Sequence, residues 1–360
     1  MTVALGSVAA VAAATTAPSQ VGAVTTSAPH FDKHSVVVSG LDNPRQISTL
    51  GNGDILVAEA GHASANPENC QGDTCVGKSG SVVRVHDGAA KDVMKGLLSG
   101  GSLDGTFAVG SDGASKRPGG AYYSIITYAP PDVIPGGLPG WQAGRLLMKR
   151  PHGHLQTVAN ITRYETRHDV DGEGFDSNPY AVLALKKKIL VADAAGDYIA
   201  QVKGGKTSVW TTMPEYGKKV DSVPTTVSLG SDGFVYVGEL HSEMPGEAKV
   251  FKYARGGEVQ RSWGGFTTVT GVARAADGSL YVSELFGGTC GFDQIPSCFP
   301  GRVVKVSPNG DRSYRKVPFP AGLTVSKGKV YVAAFSTSPS SGFGGNPDWS
   351  GAVWRIFPKS

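Results

Sequence analysis

One pattern recurs along this chain and limits the folds open to it. An apolar run ends in an acidic residue about fifteen positions after a turn-like element that opens an earlier apolar run. The copies lead from Asn43-Pro44-Arg45 to Glu59, from Asn178-Pro179-Tyr180 to Asp193, from Val223-Pro224-Thr225 to Glu239, and from Val269-Thr270-Gly271 to Glu284. A weaker copy leads from Pro320-Ala321-Gly322 to Ala334 and lacks the acid. A unit that returns at a fixed period is one piece of architecture repeated, so its residues stand at equivalent places.

Each unit reads as strand, tight turn, strand. Asn52-Gly53, Asp232-Gly233, Asp277-Gly278 and Lys327-Gly328 occupy the turns, and such dipeptides between β-rich runs are strong hairpin signals. The runs after them (54–58, 234–238, 279–283, 329–333) are rich in Val, Ile, Leu and Tyr, as buried strands require. Third strands are expected at 81–85, 249–253, 301–306 and 352–356, and fourth strands near 92–97, 208–212, 259–263 and 313–317. Four antiparallel strands every ~40 to 50 residues is the period of a propeller blade. One degenerate blade, with strands at 122–128 and 144–149, fills the gap between the first two clear copies. The sequence thus predicts an all-β, six-bladed β-propeller of four-stranded blades over 33–360. The strand at 34–40 completes the last blade and closes the ring, which removes sheet edges. A β-sandwich leaves the acid-bearing hairpins unexplained.

The 360 residues include 50 glycines and only 18% charged residues, which suits turn-rich β structure. A net charge of +4, dispersed along the chain, argues against a nucleic-acid surface. Residues 1–32 lack Lys and Arg, and 3–14 resemble the apolar core of a secretory signal, with Ala12-Ala13-Ala14 for cleavage. The basic stretch that opens such signals is missing, which fits a start inside the signal; a disordered Ala/Thr tail is the competing reading. No other stretch is long and apolar enough to span a membrane. A secreted or otherwise extracytoplasmic monomer is expected. The cysteines then read as two local disulfides, Cys70 with Cys75 and Cys290 with Cys298. A four-cysteine zinc site needs tighter pairs.

First and second strands of a blade run antiparallel, so Pro44 lies beside Glu59, Pro179 beside Asp193, Pro224 beside Glu239 and Thr270 beside Glu284. All face one end of the channel, where the long connections 60–80, 241–248, 285–300 and 335–351 also emerge. Glu59, Asp193, Glu239 and Glu284 are therefore candidates for a carboxylate ring. Such a ring binds a divalent cation, calcium or magnesium, or raises the pKa of one member for acid–base work. Alternatively, acids at strand ends accept backbone hydrogen bonds and fix the turns. Glu239 and His241, two apart in an extended segment, are candidates to act on one ligand. Arg45, His62, Asn178 and Tyr180 are candidate ligand contacts. The run Asp169-Val170-Asp171-Gly172-Glu173-Gly174-Phe175-Asp176 begins like a calcium loop, but Tyr180 stands where a bidentate glutamate belongs. His152-Gly153-His154 reads as a solvated turn.

Over about 31–358 the chain resembles the exported six-bladed propellers of the D and E proteins of the scytonemin biosynthesis cluster. The resemblance rests on Gly40-Leu41-Asp42-Asn43-Pro44-Arg45, on Asp176-Ser177-Asn178-Pro179-Tyr180-Ala181, and on Phe319-Pro320-Ala321-Gly322. It implies the fold and export. Units such as Asp232-Gly233-Phe234-Val235-Tyr236-Val237-Gly238-Glu239 look more distantly like streptogramin lyases and lactonase-type propellers, which use a channel metal. In the lyases a glutamate and a histidine act near that metal, and Glu239-Leu240-His241 is compatible with this. Two functions follow. One is binding or transformation of a small, aromatic or secondary metabolite at the acid-lined channel end; an enzyme of this kind would be a metal-assisted lyase or a lactonase-type hydrolase. The other is a non-catalytic propeller that contacts an extracellular protein through loops 136–141 and 338–349.

Overall fold

In the computed structural model, which describes residues 31–217 and 220–358, the strands form six sheets around one axis. The signal-like segment lies outside the described residues, except for its last two positions. Blade 1 comprises Pro44–Thr49, Ile55–Glu59, Thr74–His86 and Ala89–Ser102, with the short Ala108–Val109 at its edge. Blade 2 comprises Ser111–Lys116, Tyr122–Ile126, Arg145–Lys149 and Leu155–Asn160. Blade 3 is Pro179–Ala184, Ile189–Asp193, Tyr198–Lys203 and Lys206–Thr212; blade 4 is Pro224–Leu229, Val235–Glu239, Ala248–Tyr253 and Val259–Phe266. Blade 5 is Val269–Arg274, Leu280–Glu284, Arg302–Val306 and Arg312–Lys316. In blade 6, Leu323–Ser326, Lys329–Ala334 and Gly351–Ile356 are joined by His34–Leu41 from the other end of the chain. His34 pairs with Ile356 and Leu41 with Gly351, so the ring closes as the sequence predicts.

Second strands are buried at every position in blades 1 to 5. The reason is geometric: each sheet packs a neighbour on both faces, so an unbroken apolar run replaces alternation. The core accordingly divides into six apolar clusters, one at each seam between blades. Val227, Val235 and Val237 of blade 4, for example, meet Leu190, Ala192 and Ile199 of blade 3.

Two features depart from the sequence reading. The outer hairpin of blade 1 runs well beyond 81–85 and 92–97, and its extension carries the Cys70–Cys75 disulfide. The first strand of blade 2, Ser-Asp-Gly-Ala-Ser-Lys, has none of the usual β-formers. Its small residues answer to crowding at the axis: a Cβ on Gly113 would stand 2.8 Å from Gln46, Ile125 and the Tyr180 carbonyl. The second disulfide, Cys290–Cys298, lies in the connection between the second and third strands of blade 5. One α-helix, Ile161–His168, carries the chain from blade 2 towards blade 3. No helix among the described residues is long and apolar enough to cross a membrane.

Candidate functional site

First strands line the channel, and all begin at the end where second strands finish. Pro44 stands opposite Glu59, Pro179 opposite Asp193, Pro224 opposite Glu239 and Val269 opposite Glu284. All four acids are buried, and each turns back onto its own chain. Glu59 accepts the Asp42 amide at 2.8 Å and the Ser81 hydroxyl. Asp193 accepts the Asn178 amide at 2.6 Å and the Ser177 hydroxyl at 2.7 Å. Glu239 accepts the Tyr216 hydroxyl at 3.0 Å, the Lys249 amide at 3.1 Å and the Ser222 hydroxyl. Glu284 accepts the Thr267 amide at 2.7 Å and the Arg302 guanidinium. Burial pushes all four carboxyls above the usual range, Asp193 to about 6, while these donors pull them back. The acids thus fix the start of each first strand.

The four are not gathered as a ligand set. Among the described residues, one group of three or more His, Cys, Asp or Glu has ligand atoms within 4.8 Å of one another, and it is Glu165, Asp169 and Asp171.

Glu239 and His241 do meet, with Nδ1 3.3 Å from Oε1. The backbone that joins them is not extended, as the sequence implied. His241, Ser242 and Glu243 take positive φ angles of 55°, 46° and 61° in succession and fold under the strand end. The Tyr216 ring packs edge-on to the imidazole at 4.1 Å, and Lys249 Nζ stands 4.4 Å over that ring. His62 bonds Asp42, which raises its pKa. Asn178 Oδ1 accepts the Thr127 hydroxyl at 2.8 Å, so this side chain joins blade 3 to blade 2. His152 and His154 flank the turn between the outer strands of blade 2. In loop 338–349, Phe343 and Trp349 pack on Phe299 at the seam of blades 5 and 6, whereas Trp141 is half exposed.

At the channel mouth a register shift interrupts the first strand of blades 1 to 5 just after its start. Such bulges turn a side chain out of the pleat and recur beside active sites. They release Arg45 and Gln46, Asp112, Tyr180, Thr225 and Thr270. Several of these clip one blade to the next. The Thr225 hydroxyl donates to the Val269 carbonyl of blade 5, and the Thr270 hydroxyl to the Pro320 carbonyl at 2.8 Å. Arg45 donates to Ala108 O at 2.6 Å, on the approach to blade 2, and to Ser336 O in the connection between the second and third strands of blade 6. Gln46 crosses the axis: it donates to Val182 O at 3.0 Å and accepts from Val182 N at 3.0 Å.

Asp112 breaks the pattern. It is 1% exposed, yet neither carboxylate oxygen accepts a well-aligned hydrogen bond; the Gly110 backbone only approaches it. Its neighbouring charge is Arg45, with Nε 3.6 Å from Oδ1. Burial pushes its pKa up to about 7, against the Arg45 charge and the nearby Gly110 backbone. Tyr180 lies within electrostatic reach of both, and burial pushes its hydroxyl up to about 12. Of this trio the sequence pointed to Arg45 and Tyr180. Asp112 stands in the degenerate blade; aligning the blades on their first strands would have placed it beside them.

No family model matches the chain, and no characterised protein matches it in sequence. Solved structures that share its fold include the calcium-binding protein regucalcin from Agrobacterium tumefaciens (10% identity, 91% of this chain and 94% of that chain, TM-score 0.54). A streptogramin B lyase (11% identity, 91% and 97% covered, TM-score 0.50) and a luciferin-regenerating enzyme (10% identity, 91% and 97% covered, TM-score 0.51) are further examples. At such identities the likeness shows the six-bladed propeller fold alone. A divalent cation wants several oxygens; among the described residues no group of three His, Cys, Asp or Glu gathers around Asp112, whose charged neighbour is the Arg45 guanidinium.

Proposed function

We propose that this chain is an exported, monomeric propeller that binds a small polar molecule at its channel mouth, with Asp112 as hydrogen-bond acceptor and general base. One observation carries the reading: a buried carboxylate whose two oxygens accept no well-aligned hydrogen bond, held 3.6 Å from Arg45. An unsatisfied buried acceptor costs about 1–3 kcal/mol, and more when charged. A ligand hydroxyl or amine that donates to Asp112 removes that cost. Arg45, fixed by two carbonyls, sets the carboxylate's position, and Tyr180 flanks it. A carboxyl near half-ionisation at neutral pH suits proton abstraction or activation of a water, the opening step of a lyase-type elimination or a lactone hydrolysis. The resemblance to the scytonemin-cluster propellers and the two disulfides support export; the closed ring supports a monomer.

The test is a thermal-shift screen of the mature protein at pH 8 against lactones and hydroxylated aromatics, with hits titrated on Asp112→Asn and Tyr180→Phe. Losing one hydrogen bond to a charged group, about 1.5–3 kcal/mol, should weaken binding to Asp112→Asn by about ten- to a hundredfold. Ligands that bind both variants as they bind the wild type sit elsewhere, and the reading fails.

A further inference from the structure

The loop between the helix Ile161–His168 and blade 3 begins like a calcium loop in sequence and then lacks the closing glutamate. The structure supplies one from the other side. Glu165, in the helix that precedes the loop, points into it. We propose that Glu165, Asp169 and Asp171 hold one hard divalent cation, calcium, on the crossover from blade 2 to blade 3.

The placement follows from local structure. Asn160 caps the helix by accepting the Arg163 amide at 2.8 Å, and the helix ends at Asp169, whose left-handed φ of 44° reverses the chain. Asp169 and Asp171 are thereby brought back beside the last turn. One backbone amide orients each carboxylate: Val170 donates to Glu165 Oε1 at 2.9 Å, Gly174 to Asp169 Oδ1 at 2.9 Å, and Glu173 to Asp171 Oδ1 at 3.0 Å. Each carboxylate keeps a second oxygen for another partner, and ligand oxygens of the three lie within 4.8 Å of one another. Calcium holds its ligands at about 2.3–2.6 Å, so two of them stand at most about 5 Å apart.

The independent sign of a missing ligand is Glu165 itself. It is 0% exposed, and its Oε2 has no hydrogen-bond partner. The Tyr198 hydroxyl, also buried, stands close enough to act on Glu165 but forms no well-aligned hydrogen bond with it. The carboxylates of Asp193 and Asp176 add negative charge within electrostatic reach of Glu165. Among the described residues no Lys, Arg or His forms an ion pair with Glu165, Asp169, Asp171 or Asp176. A dication answers both the free oxygen and the accumulated charge. Asp171 is partly exposed and Asp169 exposed, which leaves room for the waters that complete a calcium shell; magnesium demands stricter octahedral geometry.

Calorimetric titration of calcium into the chelator-treated full chain tests this directly and does not depend on the role given to Asp112. One site is expected, with Kd of about 10⁻⁴ to 10⁻³ M, the range of extracellular calcium modules. Terbium in place of calcium should luminesce on tyrosine excitation, through Tyr198 and Tyr164. Glu165→Gln and the partly exposed Asp171→Asn should each weaken binding about tenfold or more, while Asp73→Asn, on the distant blade 1 hairpin, should not. A folded, depleted protein that takes up no calcium at about 10 mM, well above that range, overturns the proposal. So does a Glu165→Gln variant that binds like the wild type.

Discussion

Replacing Asp112 by asparagine should stabilise this protein, and only above mildly acidic pH. The folded carboxyl titrates at about 7 in place of its usual 3.8. A group whose folded pKa is raised binds its proton more tightly in the folded state. The group therefore leaves stability unaffected below the unfolded pKa, lowers it as pH rises through the interval, and exerts its full penalty above the folded pKa. About three units at 1.36 kcal/mol each amount to roughly 4 kcal/mol. Asparagine keeps the shape and cannot ionise. At pH 4 the two proteins should differ by about 1 kcal/mol or less, and at pH 8 Asp112→Asn should be about 3–4 kcal/mol the more stable. Urea unfolding of both proteins at intervals from pH 4 to pH 8.5 measures the difference. Glu165, Asp176 and Asp197 also titrate near 7, but they do so in both proteins and cancel. Stability profiles that run parallel across this range would refute the reasoning, since they would mean that Asp112 is ionised in an ordinary, solvated or hydrogen-bonded setting.

Asp193→Ala should behave in the opposite way, because it strands the Asn178 amide and the Ser177 hydroxyl; a loss of about 3–5 kcal/mol in urea unfolding is expected, and a loss below about 1 kcal/mol would return this acid to the functional candidates. Gln46→Ala removes the bridge to Val182 across the axis and should cost about 2–3 kcal/mol, read as a lower urea midpoint with unchanged slope. Intact-mass analysis should find the unreduced chain lighter than the reduced one by four hydrogens, and peptide mapping should link Cys70 to Cys75 and Cys290 to Cys298. A link between the two pairs would contradict the fold of their loops.

The blades with Asn-Gly or Asp-Gly turns and an acid at the strand end were legible in sequence, because turn chemistry and strand burial are local properties. Blade 2 was half visible. Its second and third strands carry apolar runs, whereas Ser111–Lys116 is β only because the crowded axis admits small residues and pairs them with Tyr122–Ile126. Ring closure could be read from the surplus strand at the start and the missing one at the end. Sites were harder. Glu239 and His241 were expected together on an extended segment; they meet through a left-handed turn that their spacing did not signal. Asp112 was hidden because its distinguishing property is the lack of a partner, which no linear pattern encodes. Glu165 was hidden because a calcium-loop pattern searches forward from Asp169, while the free oxygen comes from the helix behind it.

In a repeat protein, equivalent positions supply their own control. Glu59, Asp193, Glu239 and Glu284 share a place, and each accepts from donors at or just before the start of its own blade, Glu284 also from the Arg302 guanidinium, so their recurrence reflects how a first strand is started. Arg45, Thr225 and Thr270 share another place, and each reaches the neighbouring blade, so their recurrence reflects how the ring is held. Asp112 occupies that second place and accepts no well-aligned hydrogen bond; blade 2 also has Ile126 where blades 1, 3, 4 and 5 have the acid. Closure needs neither feature in every blade, because the apolar seams carry most of it. Blade 2 could therefore depart from the repeat at small structural cost. The other unsatisfied buried carboxylate, Glu165, lies on the crossover from the same blade, and the segment between the two sites is the short run that leads through Asn178 to Tyr180. A cation at Glu165 would thus stiffen one wall of the channel mouth. Calcium removal should loosen Tyr180 while the bulge that carries Asp112, held by blade 1 and Arg45, stays in place. Amide exchange that rises at 170–180 on chelation and stays unchanged at 110–116 is the expected signature; a rise in both segments together would mean that the seam opens as one unit.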